Sequence, residues 1–171
     1  MKKFYTSDLH LGHFNIIRLC NRPFQTIEEM NETLIKNWNS KVGKDDEVYI
    51  LGDMFYKCDI QMVKDTRSQL NGKKYLIKGN HDVFLKQLNW RDYFERVESY
   101  MEIDDEKRMI CLFHYPIEEW NGYYRKSYML YGHVHENMCN VKEHERKFNV
   151  GADVNDFMPM TLDELIQRNK K

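Results

Sequence analysis

Short apolar runs recur along the chain, and each ends at a glycine or a polar residue. Five of these runs occupy residues 3–7, 47–51, 74–78, 109–113 and 127–131. They are rich in β-branched, aromatic and other apolar residues, a composition typical of buried strands. The polar residues that follow therefore lie at the carboxyl ends of strands, the edge where layered α/β sheets bind their ligands.

Helical patterns fill the intervals between the runs. Apolar residues at helical spacing after a capping box predict a helix over residues 26–38, and a second helix is expected over residues 59–70. A third helix follows Asp82 to about residue 88, and a short fourth begins at the capping box Thr161-Leu162-Asp163-Glu164. Residues 94–113 predict a β-hairpin with a charged turn at 104–107.

Composition restricts the class of protein. The chain has 171 residues, 42% hydrophobic and 31% charged, which predicts a single globular domain over residues 1–171. A net charge of −1 argues against an overall basic nucleic-acid footprint. We expect no membrane association, because the chain has neither an apolar run of about 18 residues nor a signal-peptide pattern. Four scattered cysteines without a C-x-x-C pair indicate reduced thiols in a cytoplasmic protein: Cys20, Cys58, Cys111 and Cys139.

Histidine, carboxylate and amide residues cluster directly after the predicted strands. Seven of them form a mixed set of oxygen and nitrogen ligands: Asp8, His10, Asp53, Asn80, His114, His133 and His135. Neutral imidazoles and carboxylates suit Mn²⁺, Fe, Zn²⁺, Co²⁺ or Ni²⁺, and the absence of thiolates argues against a structural zinc site. Seven ligands exceed the needs of one ion with open positions. They predict two ions with one bridging carboxylate, an arrangement suited to displacement at phosphorus.

Two local features are expected to bring these ligands together. Asp8 and His10 are two residues apart, as are His133 and His135, so each pair would point to one side of an extended segment. A single buried histidine is more often a hydrogen-bonded core residue, but the ordered recurrence of the motifs favours a metal site. Glycines that permit tight turns and close backbone approach adjoin three of the motifs: Gly52, Gly79 and Gly132.

The motif series resembles the calcineurin-like metallophosphoesterase superfamily over essentially the whole chain. It consists of Asp8-x-His10, Gly52-Asp53, Gly79-Asn80-His81-Asp82, His114 and Gly132-His133-x-His135. Residues 7–17 and 21–24 further resemble a compact bacterial and phage branch of that family. The resemblance implies an α/β (α+β) fold, a four-layer α-β-β-α sandwich, which agrees with the predicted strands and helices.

The resemblance also implies a role for each matched residue. The ligands would form two sets, Asp8, His10 and His135 for one divalent ion and Asn80, His114 and His133 for the other, with Asp53 bridging them. The ions would be Mn, Fe, Zn, Ni or Co, and we expect Mn²⁺ to support turnover in vitro. A metal-bridging hydroxide would attack phosphorus in line. His81 would be the general acid and Asp82 the group that orients it, the alternative for Asp82 being an N-cap of the next helix.

Residues after the first motif are candidates for contacts with the substrate phosphate: His13, Asn15 and Arg22. A guanidinium fork suits the non-bridging oxygens of a phosphate, although a surface ion pair is the alternative for Arg22. For His13 the alternative is support of a metal ligand. The aromatic segment 120–125 is interpreted as packing over a loop, with a rim for a nucleobase as the alternative.

Three classes of function are compatible with these features. The leading prediction is a dinuclear metal-dependent phosphoesterase that acts on phosphomonoesters or phosphodiesters. The alternatives are a nuclease or cyclic-nucleotide phosphodiesterase, and a non-catalytic binding scaffold of the same fold, against which the intact His81 argues. The expected partner is a phosphoester substrate, with nucleotides and nucleic acids among the candidates and no obligate protein partner. A chain this short leaves little room for a cap domain, which predicts an open pocket.

Overall fold

Two four-stranded sheets form the centre of the molecule. The computed structural model describes residues 1–137 and 141–170. The first sheet is entirely parallel and contains β1 (Lys3–Thr6), β2 (Glu47–Ile50), β3 (Lys73–Ile77) and β4 (Arg96–Glu98), in that order. The second contains β5 (Tyr100–Asp105), β6 (Arg108–Phe113), β7 (Tyr128–Tyr131) and β8 (Lys147–Asn149). In the second sheet β5 is antiparallel to β6, and the other neighbours are parallel.

Four α-helices occur in the described part of the chain: α1 (Phe14–Leu19), α2 (Ile27–Lys41), α3 (Ile60–Gln69) and α4 (Leu162–Arg168). Short 3-10 helices cover Val83–Gln87, Trp90–Asp92, Tyr123–Arg125 and Ala152–Val154. The fold class is therefore mixed α/β, as predicted, with two sheets and four helices, of which α2, α3 and α4 match predicted helices.

Alternating side chains on the first sheet build two cores. Phe4, Val48 and Leu76 point outward and pack with Met30 and Trp38 of α2. The residues that follow each of these sheet positions point the other way and meet the second sheet: Tyr5, Tyr49 and Ile77. Because successive strand residues face opposite sides, one sheet contributes to both the helix layer and the inter-sheet core.

The second sheet is likewise covered on both faces. Ile110 and Leu130 point into the inter-sheet core, where α4 also packs. Cys111 and Met129 point outward and are covered by Trp120, which is buried and donates its Nε1 hydrogen to Ser127 Oγ at 3.0 Å. Trp120 thus packs over the sheet, in agreement with the favoured interpretation of segment 120–125.

Three predicted helix starts and the predicted hairpin turn agree with the structure. Thr26 Oγ1 accepts a hydrogen bond from the Glu29 backbone, and Asp59 caps α3 in the same way through Met62. Thr161 and Glu164 form a reciprocal capping box at α4. The turn between β5 and β6 falls within the predicted charged segment, with positive φ angles at residues 106 and 107.

Two predicted elements are wrong. Where the third helix was predicted, only the 3-10 helix Val83–Gln87 forms, and the Asp82 side chain does not cap it. Val97 belongs to β4, which pairs with β3 in the first sheet and not with the hairpin. The sequence pattern did not show that the chain changes sheets at residue 99.

No helix in the described ranges is long and apolar enough to cross a lipid bilayer. Cys20, Cys58 and Cys111 are free thiols, and Cys139 lies outside the described residues. A single domain over residues 1–171 and a cytoplasmic location stay predictions.

The inter-sheet core yields a stability prediction. Leu130 is fully buried, so Leu130→Ala is expected to lower the free energy of unfolding by about 2–5 kcal/mol through lost burial and a cavity. Leu19→Ala is the matched control, because Leu19 is 66% exposed and should change stability by less than about 0.5 kcal/mol. Guanidinium denaturation followed by circular dichroism measures both; equal midpoints would contradict the assignment of Leu130 to the core.

Candidate metal centre

Backbone hydrogen bonds join the loops that follow the strands. Asp8 N donates to Gly52 O and His10 N to Asp53 O, each at 3.0 Å, so the loops after β1 and β2 run together. Gly132 N donates to His114 O at 3.0 Å, which joins the loops after β6 and β7. Ser7 N donates to Val150 O at 3.0 Å and His133 N to Asp8 Oδ2 at 2.9 Å, so the loops of both sheets meet at one edge of the sandwich.

All seven predicted ligands lie at this edge. Three groups have ligand atoms that all lie within 4.8 Å of one another: first Asp8, His10 and His135, second Asp53, His114 and His133, and third Cys20, His135 and Asp153, which contains only one of the predicted ligands. Asn80 joins the second group, with its Oδ1 3.0 Å from His114 Nε2. Asp53 Oδ2 lies 3.8 Å from His10 Nε2 and 3.6 Å from His114 Nε2, between the two groups.

The first group contains buried polar atoms without partners. Asp8 Oδ1 and His10 Nε2 make no hydrogen bond within the described residues. The other carboxylate oxygen, Asp8 Oδ2, accepts from Ser7 Oγ at 2.5 Å and from His133 N at 2.9 Å. Buried polar atoms are otherwise almost always paired, and a cation would satisfy both orphaned atoms at once. The residues present therefore fit a divalent metal ion.

The second group also directs several hydrogen-bond acceptors at one position. His114 is fully buried, and its Nδ1 lies 2.7 Å from Leu51 O. Because a carbonyl oxygen only accepts, Nδ1 carries the hydrogen and, in the neutral ring, leaves a lone pair on Nε2. That lone pair faces oxygens of Asn80 and Asp53, so three acceptors surround one position. This donor set also suits a cation.

The electrostatic environment of the first group also favours a bound cation. Burial lowers the pKa of His10 to about 2, and the positive charges of His135 and Arg22 act in the same direction. Burial also lowers the pKa of His135, but hydrogen bonds with Asp153 and Cys20 and the charge of Asp8 raise it to about 10. The surroundings of His135 therefore favour positive charge.

The ligands do not lie on extended segments, which corrects the sequence interpretation. Five of them have left-handed backbone conformations: Asp8 (φ 56°), His10 (φ 52°), Asp53 (φ 53°), His133 (φ 73°) and His135 (φ 48°). Such conformations cost about 1–3 kcal/mol each for residues other than glycine and concentrate at functional sites. Tight left-handed turns, and not strand alternation, bring the paired ligands together.

Close backbone approach at the predicted glycines is confirmed. A Cβ at Gly132 would collide with the side chains of Ser7 and Asp8, and one at Gly79 would collide with Asp53. Gly132 thus lets the loop after β7 lie against the first ligand loop.

Arg22 does not face the substrate side, so the predicted phosphate contact is wrong. Its side chain is fully buried, and Nε and Nη2 bind the Asp153 carboxylate at 2.7 and 3.0 Å. Its remaining hydrogens point to Asp8 O, Leu9 O and Met30 Sδ. All five guanidinium donors are therefore in use inside the protein.

Asp153 is a functional candidate that the sequence interpretation missed. Its Oδ2 lies 2.6 Å from His135 Nδ1, so one carboxylate links the Arg22 guanidinium to a predicted metal ligand. Carboxylates that hold the second nitrogen of a ligating imidazole fix the ring and raise its basicity. The available signal was a glycine and an acid after β8, as in Gly52-Asp53, but β8 had not been recognised as a strand.

Asp82 acts on the backbone, which corrects both predicted roles. Its buried carboxylate accepts hydrogen bonds from the backbone nitrogens of Asp53 and Gly79 through Oδ2, at 3.0 and 2.8 Å, and from Met54 through Oδ1 at 3.0 Å. It neither caps the helix that follows nor hydrogen-bonds the His81 ring. Asp82 therefore positions Asp53.

The remaining candidates lie around the cluster. His81 N donates to Asp53 Oδ1 at 2.8 Å, and the His81 ring packs edge-on against Tyr56 at 5.0 Å. His13 stacks on the same Tyr56 ring, with a centroid distance of 3.7 Å, and its Nδ1 lies 3.3 Å from His10 Nδ1. Asn15 is exposed on α1, and a substrate contact by His13 or Asn15 stays a prediction.

Known proteins share this fold and sequence. Residues 1–158 match the family model of the calcineurin-like phosphoesterase superfamily domain. An uncharacterised protein of Methanocaldococcus jannaschii is 33% identical over 177 aligned residues, which cover 100% of this chain and 93% of that protein.

Two solved structures have a similar fold. A protein of unknown function from Aquifex aeolicus superposes with a TM-score of 0.78 at 24% identity, over 97% of this chain and 98% of that one. The Pseudomonas putida nuclease MPE superposes with a TM-score of 0.51 at 21% identity, over 78% of this chain and 60% of that one.

Asp153→Asn tests the link to His135. The amide cannot hold the imidazole as a carboxylate does, so we expect Mn²⁺ affinity to fall about 10–100-fold. Asp156→Asn is the matched control, because Asp156 is exposed and pairs only with Arg168 among the described residues. Calorimetric titration of the metal-free proteins measures both affinities; unchanged Mn²⁺ affinity in a folded Asp153→Asn variant would show that Asp153 does not support the ligand.

Proposed function

The chain belongs to the calcineurin-like phosphoesterase superfamily, and from this premise we propose that it is a phosphoesterase that uses two divalent metal ions to hydrolyse phosphomonoesters or phosphodiesters. The observation that carries the proposal is the pair of adjacent ligand groups on either side of Asp53, the first of which contains buried polar atoms without a hydrogen-bond partner in the described residues. The unpaired acceptors in this cluster favour cation binding over a purely structural role.

The ligand groups assign the residues that would hold each ion. Asp8, His10 and His135 would hold one, and Asn80, His114 and His133 the other, with Asp53 shared. When bound, such ions polarise the phosphoester and supply an activated water as nucleophile. The protein itself holds Asp53 in place through Asp82, which fixes the backbone on both sides of the Gly52-Asp53 turn.

His81 is proposed to protonate the leaving oxygen. Its backbone is held by Asp53 Oδ1, while its ring belongs to neither ligand group and is partly exposed beside the cluster. A ring that is close to the cluster but not committed as a ligand is free to carry a proton to a departing alkoxide. A non-catalytic scaffold would need neither His81 in this position nor a complete ligand set.

Asp53→Asn tests the shared ligand. An amide is a weaker ligand than a carboxylate, so we expect bound Mn²⁺ to fall below the wild-type stoichiometry and most activity to be lost. Metal analysis after gel filtration and turnover of p-nitrophenyl phosphate measure the two effects, with Asp156→Asn as the surface control. Full metal content together with full turnover would contradict a shared role for Asp53.

His81→Ala separates an acid catalyst from a structural histidine. We expect unchanged metal content and a loss of roughly 10²–10⁴ in kcat on phenyl phosphate, a poor leaving group. The loss should shrink on p-nitrophenyl phosphate, whose leaving group needs less protonation. His144→Ala, which removes an imidazole outside the cluster, is the control. An equal loss on both esters would argue against proton donation by His81.

A further inference from the structure

A cavity of about 560 Å³ opens beside the ligand cluster. His133 and His135 form its inner wall, so a group in this cavity adjoins a phosphate held at the metals. Leu19 from the end of α1, Pro116 and Val134 supply apolar surface on the other sides. Cavities of roughly 300–1,000 Å³ with apolar walls are typical of small-molecule sites.

Charge in the cavity excludes one class of occupant. No lysine or arginine lines it within the described ranges, and Glu136 adds a negative charge. A groove that follows a nucleic-acid backbone needs basic side chains for successive phosphates. The cavity therefore suits an uncharged organic group attached to a single phosphate at the metals.

An exposed aromatic ring contacts two of the candidate ligands. Tyr115 precedes the cavity residue Pro116, and its ring centroid lies 4.6 Å from that of His133 and 4.8 Å from that of His114. Tyr115 is 38% exposed although its ring touches ligand residues. An exposed aromatic ring of this kind offers a stacking surface to a flat heterocycle.

Other residues of the cavity wall supply both apolar and polar groups to a ligand. Leu19 is 66% exposed on the cavity wall, where it offers apolar surface to a ligand. Asn21 and Glu136 add an amide and a carboxylate that can pair with the hydroxyl and amino groups of a nucleoside. Free sugars would leave the apolar wall uncovered.

We infer that this cavity binds the nucleoside of a small phosphoester, so that the substrate class is nucleotides and not polymeric nucleic acid. The inference rests on the proposed function, because it places the phosphate of the same ligand at the metal cluster. Tyr115 and Leu19 are then the residues that determine specificity.

Two phosphonates that cannot be hydrolysed test the cavity by binding alone. Methylphosphonate offers only the phosphate-like group, whereas the phosphonate analogue of AMP adds the nucleoside. On titration of the Mn²⁺-loaded protein, we expect the AMP analogue to bind about 10–100-fold more tightly. That ratio should fall to near one in Leu19→Glu and in Tyr115→Ala, and it should persist in Arg18→Glu, which alters the neighbouring exposed residue outside the cavity.

The outcomes separate this inference from the proposed function. Equal affinity for the two phosphonates, or a ratio that both cavity variants retain, would overturn the inference while metal-dependent turnover of p-nitrophenyl phosphate left the proposed function standing. A 20-nucleotide single-stranded DNA that binds more tightly than the AMP analogue would overturn it in favour of a nucleic-acid substrate. If neither phosphonate binds in the presence of Mn²⁺ and no ester is turned over, both the inference and the proposed function are wrong.

Discussion

An excess of buried hydrogen-bond acceptors over donors is the constraint around which this molecule is organised. Asp8 Oδ1 and His10 Nε2 have no partner within the described residues, and His114 Nε2 faces two oxygens. Burying such atoms opposes folding unless a cation compensates them. The sandwich tolerates the arrangement because two hydrophobic cores, one on each face of the first sheet, hold the surrounding strands in place.

Two buried carboxylates outside the predicted ligand set hold predicted ligands in position. Asp82 accepts two backbone hydrogens from the loop of Asp53 and one from Gly79, and Asp153 fixes the ring of His135 while it pairs with Arg22. The guanidinium of Arg22 also reaches Asp8 O and Leu9 O. One ion pair thereby connects the first ligand loop to the loop after the last strand. These two loops would surround a bound cation and hold its ligands in place.

The proposed proton donor and the cavity adjoin different histidines of the cluster. The His81 ring centroid lies 5.5 Å from that of His10, near the stacked rings of His13 and Tyr56, whereas Tyr115 contacts His133, and His133 and His135 line the cavity. The proposed proton donor and the cavity would therefore contact different parts of a phosphoester.

The sequence by itself determined the strand runs, the capped helices and which residues meet at the metal centre, because these follow from local periodicity and from motifs placed directly after strands. The same local patterns failed where distant residues decide the outcome. Nothing near Arg22 in sequence showed that Asp153, 131 residues away, would take its guanidinium into the interior. The carboxylate of Asp82 serves backbone groups that only the packing of two loops presents to it, and Val97 joined the first sheet because β3 offered it a partner edge. Tertiary structure alone decided that Arg22, Asp82 and Asp153 support the candidate ligands and where the cavity opened, since each depends on contacts between loops that are far apart in the chain.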